Sequence, residues 1–92
     1  MKIYTPYQFR TIRILANITL KEVSEHAYLS KPAIYNYEKY GKLGKHSKIL
    51  ITGVLDELVE SHDIPENVMK AINIIKEDEN VTSKNKGISQ GN

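Results

Sequence analysis

The sequence predicts an all-α fold, a compact five-helix bundle, and two observations carry that prediction. Helix-capping residues stand at Thr5, Thr19 and Ser30, each bracketed by the apolar pair that staples a helix start. Apolar residues then recur at three- and four-residue spacing through five successive segments. Ninety-two residues make one small domain, which can bury roughly 60–65% of its unfolded-chain surface. Helices are expected near 6–16, 20–27, 31–40, 48–61 and 65–78, in a domain of residues 1–79. Residues 80–92, polar and rich in Gly and Ser, read as a disordered, flexible tail.

The first helix opens with Thr5-Pro6-Tyr7-Gln8. Thr5 is the N-cap, Pro6 suits the first helical position, Gln8 closes a capping box, and Tyr4 with Phe9 can form the staple. Phe9, Ile12 and Ala16 mark its inner face, and Asn17 can end it in the left-handed conformation that Asn tolerates. Ile14 and Leu15 are large and apolar; packing under the later helices is favoured for them over a partner surface.

Thr19 and Glu22 form a second capping box, with Ile18 and Val23 as staple. Leu20, Val23 and Ala27 face inward, and Lys21, Glu25 and His26 outward. Ser30 starts the third helix, with Leu29 and Ile34 as its pair. Ile34 and Tyr37 lie three apart and face the core; Lys31, Pro32, Tyr35, Asn36 and Lys39 face solvent. Two starts eleven residues apart leave about two turns of helix and a tight connection, the size of a helix-turn-helix.

Ser47 is the expected cap of the fourth helix, whose core stripe is Ile51, Val54, Leu55 and Leu58. Gly53 within it suggests close helix packing, and Asp56, Glu57 and Glu60 form its exposed face. The fifth helix presents Val68, Ala71, Ile72 and Ile75 on one side. Surplus apolar residues on the last two helices, Met69 and Ile74 among them, give a surface on which a second subunit can pack.

Composition excludes several classes of function. Without cysteine there is no disulfide framework and no thiolate metal site. No apolar run reaches the roughly 20 residues needed to span a bilayer, and MKIYTPYQ lacks the apolar core of a signal peptide. A cytoplasmic protein without membrane contact is expected. No Ser-His-Asp order, HExxH, phosphate loop or clustered carboxylate pair stands out, so catalytic residues, metal and cofactor are all expected to be absent. The charge, by contrast, is segregated. Residues 1–48 hold nine Lys/Arg against three Glu, net +6, whereas residues 49–92 hold four against eight acids, net −4. A basic half that meets phosphates and an acidic half that faces away follow from that division.

The central stretch resembles the XRE/Cro-type repressors. Counting from Leu20, Val23, Ser24, Tyr28, Leu29, Ile34 and Glu38 fall on that family's apolar, small, turn and acidic positions, and Arg13 is placed to pair with Glu38 as the family's first-helix Arg does. The likeness runs from about Thr5 to Val59. It departs at Leu20, where the family keeps a polar residue, and at Tyr28, where it keeps the turn Gly; a tyrosine at positive φ is sterically costly. What the resemblance implies is a dimer on double-stranded DNA, joined through the fourth and fifth helices. The third helix would enter the major groove and bring Lys31, Pro32, Tyr35, Asn36 and Lys39 to base edges. Lys21, Ser30, Lys42, Lys45, His46 and Lys48 would meet phosphates, and Arg13 and Glu38 would be a structural ion pair.

Two rivals remain. Antitoxins similar to this family also bind a protein, and the acidic half could serve that purpose. Tyr37-Glu38-Lys39-Tyr40-Gly41-Lys42-Leu43 looks like the end of the MerR-type motif, although that family begins at its helix-turn-helix and continues into a β-wing.

Overall fold

The computed structural model describes residues 2–77, and their regular structure is five helices and no strand. These are α1 (Pro6–Leu15), α2 (Leu20–Ala27), α3 (Lys31–Tyr40), α4 (Lys45–Ser61) and α5 (Glu66–Lys76). The tail expected from residue 80 lies outside the described residues, as does the last residue of the expected fifth helix.

Local chemistry sets the first three helices. Thr5 Oγ1 accepts from the Gln8 N–H (3.1 Å) while Gln8 Oε1 accepts from the Thr5 N–H (3.0 Å), closing the capping box. The same buried Gln8 side chain donates from Nε2 to the Ile75 carbonyl (2.9 Å), so one amide caps α1 and holds the end of α5. Past α1, Asn17 takes φ 60°, and the Asn17 and Ile18 N–H groups return to the Ile14 and Arg13 carbonyls at 3.0 and 2.9 Å. That double return is the Schellman stop.

The capping box expected at α2 is only half made. Thr19 Oγ1 accepts from the Glu22 N–H (3.0 Å), but the Glu22 carboxylate contacts His62 Nε2 (2.7 Å) at the end of α4 instead of reaching back. A side chain forty residues away outcompetes the local partner.

The turn between α2 and α3 has the left-handed geometry that a tyrosine disfavours. Tyr28 sits at φ 57°, ψ 37°. Ser24 holds it there from both sides: its carbonyl accepts from the Tyr28 and Leu29 N–H groups, and its hydroxyl donates to the Leu29 carbonyl (2.5 Å). Ser30 Oγ then accepts from the Ala33 N–H (3.2 Å) to start α3, and Gly41 at φ 72° ends it.

α4 begins three residues earlier than Ser47 would set it. Its N-cap is Gly44, which has no side chain to offer, and Ser47 lies inside the helix. Lys45 and His46 are exposed there, so solvent can satisfy the first-turn amides and no capping side chain is required.

α1 packs on α3, α4 and α5, and α2 packs on α3 and α4. Phe9, Ile12, Ile18, Val23, Ile34, Ile51, Leu55 and Ile72 are fully buried in one core. Burying an apolar side chain of this size contributes roughly 1.5–3 kcal/mol. Tyr4, ahead of α1, ties the helices together: its N–H donates to Thr52 Oγ1 (3.2 Å), its hydroxyl donates to Asp56 Oδ1 (2.5 Å), and its carbonyl accepts from the Tyr37 hydroxyl. Asp56 is thus half-buried and bonded, not part of the exposed face of α4, where Glu57 and Glu60 do lie. Burial and then the Asp56 carboxylate raise the Tyr4 hydroxyl pKa well above its ordinary value; burial alone raises that of Tyr37.

Ile14 and Leu15 do not pack beneath later helices. Ile14 is 50% exposed, and Leu15 is exposed as well, because α5 and α3 cover the opposite side of α1, around Phe9 and Ile12.

Candidate nucleic-acid interface

α3 is built with two unlike faces. Its inner face carries Ile34, Tyr37 and Glu38. Tyr37 meets Phe9 edge-on, with centroids 6.1 Å apart. The Glu38 carboxylate, 3% exposed, accepts two hydrogen bonds from the Arg13 guanidinium, Nε to Oε2 at 2.7 Å and Nη2 to Oε1 at 3.0 Å. Arg13 Nη1 also donates to the Ile18 carbonyl (3.0 Å), so the pair fastens α3 to α1 and to the segment entering α2. A bidentate pair with a third guanidinium donor also engaged anchors α3 firmly.

The outer face carries Lys31, Pro32, Tyr35, Asn36, Lys39 and Tyr40, all exposed. Lys39 Nζ lies 5.7 Å from the ring centroids of both Tyr35 and Tyr40, a distance at which ring and ammonium attract. Tyr35 lines two depressions. One, open and about 520 Å³, is lined by Thr19, Leu20, Lys21, Lys31, Pro32 and Tyr35, mainly through carbon. The other, about 350 Å³, is lined by Arg10, Tyr35, Glu38 and Lys39.

Of the residues singled out in the sequence, Lys31, Pro32 and Tyr35 therefore share a hollow with Lys21, and Lys39 shares the second depression with Tyr35. Asn36 is exposed on α3 and lines neither depression. Ser30 Oγ is occupied as an acceptor by its own helix. Lys42, Lys45 and His46 are exposed, the last two in the uncapped first turn of α4. Lys48 is drawn inward, with Nζ 5.8 Å from the Tyr37 ring centroid.

One contributor, Arg10, carries no clear signal in the sequence. Arg10 is exposed, with Nε 4.0 Å from Glu38 Oε1, where Arg13 already occupies the carboxylate. Leu20, expected to face inward, is half-buried and lines the larger hollow.

The electrostatics follow from the pairings. Each of the three acids in residues 1–48 has a side-chain partner: Glu22 contacts the His62 ring, Glu25 pairs with Lys21 at 2.7 Å, and Glu38 pairs with Arg13. The Lys21 hydrogen bond and charge hold the Glu25 carboxyl below its usual range, and Glu25 raises the Lys21 ammonium in return. Arg10, Lys31, Lys39, Lys42 and Lys45 are exposed on a half whose acids are already occupied. Such a surface attracts anions.

Among the described residues no group of three His, Cys, Asp or Glu is placed to hold a metal ion, and no helix is long and apolar enough to cross a membrane. The residues after Gly41 continue into helix α4, where a MerR-type chain would form a β-wing. Comparison of the chain with protein-family models, with curated proteins and with solved structures gives no match.

Proposed function

We propose that this chain is a cytoplasmic, sequence-reading DNA-binding protein, a small dimeric transcriptional repressor rather than an enzyme, and that the outer face of α3 is its reader. The observation that carries the reading is the exposed Lys31–Lys39 face on a half whose three acids each contact a side chain outside α3. A helix with solvent-facing Asn36, Tyr35 and Lys31, fixed from behind by Arg13–Glu38, has the rigidity and the donor set for base edges in a major groove. Asn36 offers the paired hydrogen bonds that fit adenine, and Lys31 a donor for guanine or the backbone. Lys42, Lys45 and His46, with the uncapped start of α4 beside them, suit phosphate contacts that set register. Dimerisation through α4 and α5 would cover Leu50 and Ile74, the latter 68% exposed.

The test is fluorescence anisotropy of the purified chain on duplex DNA from upstream of its own gene and on a scrambled duplex, across a salt series. Tight, selective binding with a steep salt slope is expected. Equal, weak binding to both duplexes would contradict selective reading of that site.

A second reading, a module that binds a protein partner on the same fold, draws on one observation: Tyr28 is 92% exposed while held in a backbone conformation costly for tyrosine. Co-purification with a stable partner, together with no DNA affinity, would decide for it.

A further inference from the structure

We propose that the edge formed by α1 and the outer face of α3 is a platform for single-stranded nucleic acid. Unpaired bases stack there on Tyr7, Tyr35 and Tyr40, while Arg10 and Lys39 hold the phosphates between them. The inference goes beyond the duplex reading and does not depend on it.

Helix docking brings these five residues to one edge. Pro6 lies against Gly41, its Cγ 3.6 Å from where a Cβ on that glycine would stand, so their neighbours Tyr7 and Tyr40 lie at the same end of the domain. Tyr7 and Arg10 are three apart and share a face of α1. Arg10 in turn lines the depression of about 350 Å³ with Tyr35 and Lys39. The rings are open to solvent: Tyr7 is 67% exposed, Tyr40 60% and Tyr35 45%. Lys39 Nζ, 5.7 Å from the centroids of Tyr35 and Tyr40, stands between two of them. The carboxylate lining the depression, Glu38, is 3% exposed and held by Arg13, so Arg10 and Lys39 keep charge for an outside partner. A lone exposed ring asks for no explanation, but rings interleaved with cations do. Their complement alternates flat, stackable faces with negative charges, as an unpaired strand alternates bases and phosphates. A duplex does not fit, because its bases are already stacked on one another and show only their edges.

The test is fluorescence anisotropy of the full chain on labelled oligothymidylate and oligouridylate of about twelve nucleotides, a length within the usual range of strand site sizes. Salt-sensitive binding to at least one is expected, and the tighter of the two names DNA or RNA as the source. The chain has no tryptophan, so its emission comes from tyrosine and should be quenched as bases stack. Tyr7 belongs to this edge and not to the duplex-reading face of α3, which makes it the residue to change. Tyr7→Leu should weaken strand binding about 5- to 150-fold, the worth of one stacked base, whereas Tyr7→Phe should keep it. Tyr40→Leu should act like Tyr7→Leu, with circular dichroism checking that each variant folds. Should a leucine variant not fold, quenching in the parent decides. Unchanged binding in both leucine variants, or no quenching in the parent, would reduce the contact to charge and overturn the platform. Absence of binding to either strand at low salt would overturn it as well and leave the rings to a protein partner. Neither result bears on the choice between duplexes, which the upstream and scrambled duplexes test separately.

Discussion

The two faces of α3 differ in how many partners hold them. Inside, Tyr37 and Glu38 are tied to Tyr4, Phe9, Lys48 and Arg13 by a hydrogen bond, ring contacts and a bidentate ion pair. Outside, apart from contacts within α3 itself, Tyr35 and Lys39 line open depressions, and Asn36 is exposed. The difference separates two jobs within ten residues. The inner face fixes where the helix lies, and the outer face is left available for something else. Changes inside should therefore act on stability, and changes outside on binding.

Glu38→Ala should produce the largest loss, about 3–5 kcal/mol, because it strands the Arg13 guanidinium in a largely buried site. Chemical denaturation reads this directly. A variant that unfolds like the parent would mean that the pair does not hold α3 in place.

Tyr37→Phe keeps the ring against Phe9 but leaves the Tyr4 carbonyl without its hydroxyl partner, at a cost of roughly 1–3 kcal/mol. The same network gives an alkaline limit. Folding raises the pKa of the Tyr4 and Tyr37 hydroxyls, so their contribution is complete below about pH 10 and is lost as pH climbs through the higher folded-state values. Tyr4→Phe should make the decline of stability above pH 10 less steep. An unchanged slope would remove Tyr4 from this role.

The smallest effect is expected at the turn. Tyr28→Gly relieves a left-handed tyrosine but adds freedom to the unfolded chain, for a net gain of about 0.5–1 kcal/mol. A loss on thermal melting would show that the Tyr28 side chain stabilises the turn by more than its backbone strain costs.

These elements were legible from sequence to different degrees. The start of α1 is written within four residues, since Thr5, Pro6 and Gln8 need only one another. Asn17 likewise ends α1 by a preference of its own residue type. The start of α4 is not, because Gly44 caps it with backbone alone while Ser47 carries the right side chain in the wrong place. Glu22 has a local partner that loses to His62, and Asp56 looks like surface until Tyr4 reaches it from fifty-two residues away. The exposure of Ile14 and Leu15 depends on which side of α1 the later helices choose, and one-dimensional spacing carries no record of that. In the candidate site, the outward set on α3 follows from helical spacing. The apolar hollow does not, because Leu20 and Tyr35 meet only once α2 and α3 are docked.

The most direct test of the division between faces is the affinity of the parent, Asn36→Ala and Lys42→Ala for a preferred duplex and a scrambled one across a salt series. Asn36→Ala should fold within about 0.5 kcal/mol of the parent, yet lose roughly 1–3 kcal/mol of its preference between the duplexes. Lys42→Ala should weaken both duplexes alike and lower the salt slope by about one. Full base preference in Asn36→Ala, or a loss of preference in Lys42→Ala instead, would contradict the assignment of the outer face of α3 as the reader.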